Sequence, residues 1–268
     1  MVAQYGNEVA QATFRRAMKI RFDSDEHAYR ITLDDPPLHI LDIEMLEQLR
    51  DAVSRVGNDR HALVIASTGD RAFSAGASVP DHLGERVATM LARFHDCFRM
   101  LARLDVVTIA LVRGVALGGG CELALACDFV LASDRAKFGQ PEINLGVFPP
   151  VAAYQFSRQL VPRKGLELLL TGEPIDAATA EHLGLVNAVF AREEFDKRCE
   201  AWLQRIYKQS ASSLRFAKKA FRIAQSADFD ERLANVERLY LEELMKTDDA
   251  NEGLKAFIEK RRPIWSNR

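Results

Sequence analysis

Residues 114–142 constrain the fold and chemistry of this chain more than any other stretch. They read GVALGGGCELALACDFVLASDRAKFGQPE, which places three consecutive glycines, two glutamates and an apolar run close together. Glycine lets the backbone approach a ligand closely, and a helix N-terminus offers free N–H groups and a positive dipole end. The glycines at 118–120 precede a predicted helix, so this turn can hold a phosphate or a developing oxyanion. A plain tight turn is the alternative.

The flanking chain alternates strand-like and helix-like patterns. Continuous apolar runs predict strands that are buried on both faces, at 62–66, 106–112 and 129–132. Helical spacing of apolar residues, and the capping residue Asp42, predict helices at 43–56 and 85–104. A hairpin is expected over 18–33, and mostly helices from 151 onward, among them helices over 229–246 and 249–260. The pattern indicates an α/β fold with a mostly parallel sheet.

Two glycine-containing turns are expected at the same edge of this sheet. Residues 73–77 and 114–120 both follow predicted strands. Parallel sheets place their sites beyond the carboxyl ends of the strands, so the two turns are predicted to share one site.

Two glutamates fall close to the second turn. Glu122 lies in the first turn of an apolar helix, where a carboxylate is costly to bury unless it is paired or functional. Glu142 follows in a loop. Two acids beside an oxyanion-type turn could add or remove water and protons next to a carbonyl. Ordinary salt-bridged acids are the alternative, and spacing alone does not decide between them.

Composition excludes several other classes. A net charge of −2 and a pI near 6.3 argue against nucleic acid as the main partner. No apolar run has the length of a membrane span, and no signal peptide is evident. The four cysteines form no CxxC pair and have no histidine at zinc-ligand spacing, so we expect reduced thiols, no metal site and a cytoplasmic location. His82 and His95 are weak candidates for bases.

Three motifs resemble those of the crotonase (enoyl-CoA hydratase/isomerase) family: FSAGA at 73–77, GVALGGGCELA at 114–124 and FGQPE at 138–142. The likeness covers about residues 15–265. It implies an α/β crotonase-like spiral of ββα turns at 15–195, followed by a C-terminal helical trimerisation region at 196–268. It also implies a homotrimer or dimer of trimers, and an acyl-CoA thioester substrate that brings CoA with it, without a separate cofactor.

The resemblance also implies residue roles. The oxyanion-hole N–H groups would be those of Ala77 and Gly119. Glu122 would hold and activate water, and Glu142 would exchange the proton at the carbon next to the thioester carbonyl. Contacts to CoA would come from Ser78, Val79 and Pro80, and from Lys260 of a neighbouring subunit.

The chain departs from the common family pattern in ways that bear on substrate choice. Ser78 replaces a common Asp, Arg113 replaces a common Asn, and Phe148-Pro149-Pro150 replaces a smaller, glycine-rich stretch. Bulkier residues at 147–153, opposite the helix at 85–104, should reshape the acyl pocket. Phe148 and its neighbours are similar to the branch of the family that hydrates cyclic dienoyl-CoA. The alternatives are a straight-chain enoyl-CoA hydratase, an isomerase and a non-catalytic binding protein.

Overall fold

The computed structural model describes residues 18–82, 84–225, 242–243, 246–249, 252, 256 and 259–268. Two sheets are present among them. The larger sheet has the strand order β1-β2-β3-β5-β7-β10, and the smaller has the order β4-β6-β8-β9. The strands are β1 Ile20–Ser24, β2 Ala28–Leu33, β3 Ala62–Ser67, β4 Ala72–Ser74, β5 Val107–Val112, β6 Val115–Leu117, β7 Phe129–Ser133, β8 Lys137–Gly139, β9 Ile175–Asp176 and β10 Ala188–Phe190.

The larger sheet confirms the predicted hairpin and the mostly parallel arrangement. β1 and β2 pair antiparallel, and every other pairing in this sheet is parallel. The three predicted apolar runs form β3, β5 and β7. Their side chains are almost all buried, because helices cover both faces of the sheet.

The helices lie where apolar spacing predicts them. Asp42 caps the first helix, since its Oδ1 accepts a hydrogen bond from Met45 N at 2.8 Å. The helices are α1 Ile43–Ser54, α2 Arg86–Arg103, α3 Gly119–Leu125, α4 Pro150–Gln159, α5 Pro162–Thr171, α6 Ala177–His182, α7 Phe195–Tyr207 and α8 Ala211–Ala224.

The order of these elements repeats three times. A long strand, a short strand and a helix follow one another as β3-β4-α2, β5-β6-α3 and β7-β8-α4. Each long strand joins the larger sheet and each short strand joins the smaller one. This is the spiral of ββα turns that the resemblance implies.

The smaller sheet is the part of the core that apolar patterning missed. The sequence predicts a glycine-containing turn at 73–77 and no strand between it and the run at 62–66, whereas the structure forms β4 at Ala72–Ser74. Strands of two or three residues are too short to show an alternating pattern. Long-range pairing to β6 and β8 stabilises them instead.

Helix α7 packs on the outer face of the larger sheet. Its buried residues Phe195, Cys199 and Leu203 share one apolar cluster with Val64 and Ile109. The helices predicted over 229–246 and 249–260 lie largely outside the described residues, and the division at residue 195 stays a prediction. No helix in the described part of the chain is long and apolar enough to cross a membrane.

Candidate active site

The two glycine turns predicted to share a site do meet. Strand β4 pairs in parallel with β6, so the turns that follow these two strands lie side by side. The contact is close: a Cβ at Gly119 would lie 3.3 Å from Ala77 N, and one at Gly76 would lie 2.9 Å from Leu117 O. The structure therefore brings Ala77 and Gly119 together, as predicted.

Hydrogen bonds on the preceding residues orient the N–H groups of Ala77 and Gly119. Gly76 O accepts a bond from Leu41 N at 2.9 Å, and Gly118 O accepts one from Glu122 N at 2.9 Å. In a trans peptide the N–H points away from the C=O of the preceding residue. The N–H groups of Ala77 and Gly119 therefore point away from the hydrogen bonds that Gly76 O and Gly118 O accept. Neither N–H donates to an acceptor in the part of the chain that the structure describes. Two backbone donors from adjacent turns are thus available to an oxygen atom.

Each of the three consecutive glycines is required by a different neighbour. Gly118 has φ +51°, and a Cβ there would lie 2.5 Å from Oε1 of Glu142. A Cβ at Gly119 would lie 2.8 Å from the Phe94 ring. At Gly120 it would overlap the carbonyl oxygen of Ser74. The sequence GGG therefore packs one backbone turn against a carboxylate, a ring and a strand.

Glu122 is a buried carboxylate on helix α3. Its side chain is enclosed, with the residue only 3% exposed, and Oε1 accepts a hydrogen bond from Ala152 N at 2.6 Å. Burial raises the pKa of Glu122 to about 8, against the lowering effect of the Ala152 and Val151 N–H groups. The charge of Glu142 raises this pKa further. Helix α4 thus holds Glu122 through its own N-terminus.

Glu142 lies in a short 3₁₀ helix, Pro141–Leu145, with its carboxylate against Gly118. Burial raises the pKa of Glu142, while its own backbone N–H and the charge of His82 lower it. Oε2 is buried and has no hydrogen-bond partner among the described residues. The Glu142 carboxylate thus lies against the residue before Gly119, and its charge acts on Glu122, which follows Gly119 by three residues on α3.

The predicted CoA-contacting residues follow directly after Ala77. Ser78 O accepts hydrogen bonds from Asp81 N at 3.2 Å and lies 2.9 Å from Nδ1 of His82. Val79 and Pro80 are exposed to solvent. Lys260 is exposed in the C-terminal segment, and the role expected of it through a neighbouring subunit stays a prediction.

Three residues that hold the site in place were not identified from sequence. Ser74 donates from Oγ to His39 O at 2.7 Å and accepts from Gly76 N at 3.1 Å. Asp81 is buried; it accepts a bond from Ile43 N at 3.2 Å and pairs with Arg86. Gln155 donates to Glu122 O at 3.0 Å. No sequence signal marks these residues, because each has a partner far away along the chain: His39, Ile43 and Glu122 respectively.

A cavity of about 320 Å³ opens between α2 and α4. Its lining residues are His95, Phe98, Arg99, Ala102, Pro150, Val151 and Tyr154. We call it the α2–α4 cavity. It lies near Glu122, because Val151 and Ala152 at the start of α4 face that carboxylate.

Two segments expected to form the acyl pocket, residues 85–104 and 147–153, contribute to the walls of this cavity through α2 and the start of α4. Phe148 is 71% exposed and is not among the lining residues. The position of the acyl pocket and the contact of Phe148 with substrate stay predictions. Arg113 lies elsewhere, paired with Asp196 of α7.

Comparison with known proteins agrees with this geometry. The family model described as enoyl-CoA hydratase/isomerase matches residues 24–268. The chain belongs to the enoyl-CoA hydratase/isomerase family. This confirms the resemblance, the crotonase-like fold and an enzyme of the enoyl-CoA hydratase type.

Relatives of this family are similar along nearly the whole chain. Cyclohexa-1,5-dienecarbonyl-CoA hydratase of Thauera aromatica is 38% identical over 258 residues, which cover 94% of this chain and 97% of the relative. A probable enoyl-CoA hydratase of Mycobacterium tuberculosis is also 38% identical, over 253 residues that cover 93% of this chain and 98% of the relative. The solved enoyl-CoA hydratase of Mycobacterium smegmatis is similar in structure, with a TM-score of 0.87 at 30% identity. The match covers 93% of this chain and 99% of that structure.

Proposed function

We propose that this protein adds water reversibly to the double bond of an α,β-unsaturated acyl-CoA thioester. The observation that carries this proposal is the pair of free N–H groups, on Ala77 and Gly119, beside the buried carboxyl group of Glu122 and the half-buried one of Glu142. Attack of water on the conjugated thioester moves negative charge onto the carbonyl oxygen. Two preorganised donors stabilise that charge, and the loss of one such donor costs about 3 kcal/mol.

The two glutamates supply the proton transfers. The water oxygen bonds to the β-carbon and its proton passes to one carboxylate, while the α-carbon takes a proton from the other carboxyl group. We assign the water to Glu122 and the α-carbon proton to Glu142. Burial raises the pKa of both, which favours retention of a proton by the pair near neutral pH. One protonated and one ionised carboxyl group is the state that hydration requires.

We propose a cyclic dienoyl group, as in aromatic-compound degradation, as the acyl part of the substrate. The hydratase of Thauera aromatica carries such a substrate in its name. The α2–α4 cavity of about 320 Å³ also has room for a six-carbon ring, since an apolar cavity of about 150 Å³ binds benzene.

The same site has two alternatives: a straight-chain substrate for the same hydration, and double-bond isomerisation in place of hydration. A straight-chain substrate is favoured by a crotonyl-CoA hydratase of Syntrophomonas wolfei at 35% identity. Double-bond isomerisation is less well supported, because isomerases of this family often retain only one acid and this chain keeps two.

We further propose a homotrimer or dimer of trimers in the cytoplasm, with no separate cofactor. Several large apolar side chains on α4 and α5 support an assembly, since they are exposed in the single chain: Tyr154, Leu166 and Leu170.

A direct assay tests the reaction and the acyl group together. Crotonyl-CoA and cyclohexa-1,5-diene-1-carbonyl-CoA are supplied side by side in oxygen-labelled water. We expect labelled oxygen in both products and a higher kcat/KM for the cyclic substrate. Faster hydration of crotonyl-CoA would contradict the cyclic assignment alone. A shifted double bond without label would contradict hydration itself.

A further inference from the structure

A histidine stands on the turn that follows the Ala77 N–H group. His82 ends a short 3₁₀ helix, Pro80–His82, and its N–H donates to Val79 O at 3.0 Å. The ring folds back on the chain, because Nδ1 lies 2.9 Å from Ser78 O. A carbonyl oxygen only accepts, so Nδ1 carries the proton of this bond. The imidazole is therefore held against the carbonyl of the residue that follows Ala77.

The residue before this histidine fixes the turn in the fold. Asp81 is buried; it accepts a hydrogen bond from Ile43 N at 3.2 Å and pairs with Arg86. The turn is thus held by the first residues of α1 and α2. The other charged groups at these helix starts are paired or exposed: Asp42 and Glu44 pair with Lys19, and Glu85 is exposed.

The second ring nitrogen of His82 can take up a proton. The residue is half-buried, and Nε2 has no hydrogen-bond partner in the part of the chain that the structure describes. It is not one of the buried unpaired atoms of that part either. Solvent therefore reaches Nε2, and a proton there gives the ring a positive charge while Nδ1 keeps its bond to Ser78 O.

The Glu142 carboxylate lies beside the other glycine turn of the site. It packs against Gly118, whose neighbour Gly119 meets Ala77. Burial raises the pKa of Glu142, and its own backbone N–H and the charge of His82 oppose this rise. Its Oε2 is buried without a hydrogen-bond partner among the described residues. The histidine therefore acts on Glu142 through space, as a charge.

We infer that His82 is a positioning residue whose positive charge keeps one of the two acids ionised when the pH falls, and so extends hydration to lower pH. The inference rests on the proposed hydratase function, which requires one protonated and one ionised carboxyl group. Histidine side chains change charge between about pH 5 and 8. A second proton on the acid pair stops hydration, and a cation beside Glu142 disfavours that proton.

His82→Gln removes this charge at every pH and still offers an amide N–H to Ser78 O. Without the cation, the second proton binds to the acid pair at a higher pH. We expect the acid limb of the kcat/KM profile to move up by ~0.5–1 pH unit, which is a loss of ~3–10-fold on that limb. At about pH 9, where an imidazole is neutral, the variant should match the wild type.

His82→Lys carries a charge beyond the pH range in which an imidazole does. An added cation lowers the pH at which the acid pair loses its last proton. We therefore expect the alkaline limb to move down by ~0.5–1 pH unit, while the acid limb keeps its wild-type position. The two variants thus shift opposite limbs of the same profile.

His182 provides the matched control. It is exposed in the last turn of α6, and His182→Gln and His182→Lys make the same two changes of charge there. Neither limb should move in these variants. For each protein, kcat/KM is measured from about pH 5 to pH 10 with an enoyl-CoA that the wild type hydrates. Circular dichroism at each pH confirms that the protein is folded.

The outcomes separate this inference from the proposed function. An unmoved acid limb in His82→Gln, or an unmoved alkaline limb in His82→Lys, overturns the role of His82 and leaves the hydratase intact. An equal loss of activity at every pH indicates a structural role alone and overturns it too, as do equal shifts in the His182 variants. A wild type that hydrates no enoyl-CoA overturns both proposals. If one His82 variant does not fold, the other decides, because each shifts a different limb.

Discussion

At the scale of single residues, the site places a carboxyl group where it costs stability. Glu122 is enclosed by apolar neighbours on α3 and receives a hydrogen bond from Ala152 N. Its pKa of about 8 lies above the ordinary value of 4.5, because burial disfavours the anion. The folded state therefore binds this proton more tightly than the unfolded chain. Stability from this group is present below about pH 4.5 and is lost as the pH rises toward 8.

Glu122→Gln should consequently raise stability while it removes activity. The neutral amide keeps the shape and an acceptor oxygen but carries no buried charge. We expect its free energy of unfolding to exceed that of the wild type by on the order of 1–3 kcal/mol at pH 8, with the difference shrinking toward pH 5. Urea denaturation at both pH values measures this. Glu167→Gln, at an exposed ion pair with Lys164, is the control. An equal difference at both pH values would contradict the assignment.

At the scale of elements, the β6–α3 turn is built so that a backbone and a carboxylate can touch. Gly118 adopts φ +51° and has the Glu142 carboxylate against its α-carbon. A side chain at this position would both strain the turn and move the acid away from the two N–H groups. Turn geometry and acid position are thus coupled in one residue.

Gly118→Ala compared with Gly184→Ala separates these two effects. Both glycines have positive φ, but an added Cβ at Gly184 meets nothing within 4 Å. Each variant should lose about 1–2 kcal/mol of stability through backbone strain. Only Gly118→Ala should also lose about 10²-fold or more in kcat/KM, because Glu142 is displaced. Similar kinetics in the two variants would show that Gly118 serves the turn alone.

Sequence patterns predicted the long elements well and the short ones poorly. The runs that became β3, β5 and β7 have enough apolar residues to indicate burial, and Asp42 marks a helix start. Strand β4 has three residues and no readable period. The two acids and the two glycine turns were found from residue type, but spacing alone left the use of the acids open. Sequence patterns did not identify Ser74 and Asp81 as residues that support the site, because only the fold brings their partners His39 and Ile43 near.

At the scale of the whole molecule, exposed apolar side chains on α4 and α5 predict a larger assembly. The chain has a mass of 30.1 kDa. We expect light scattering on the purified protein to give about three or six times this mass, since the large exposed side chains are then covered. A monomer at micromolar concentration would contradict the proposed trimer and leave the chemistry of the site unaffected.

The central claim is that the carboxyl groups of Glu122 and Glu142 transfer the protons of hydration beside two backbone donors. The most direct test measures kcat/KM for hydration of an enoyl-CoA that the wild type accepts, in Glu142→Gln and in Glu122→Gln. We predict a loss of about 10²–10⁴-fold in each variant, with an unchanged circular dichroism spectrum and full activity in the Glu167→Gln control. Hydration by both variants at the wild-type rate would contradict the claim.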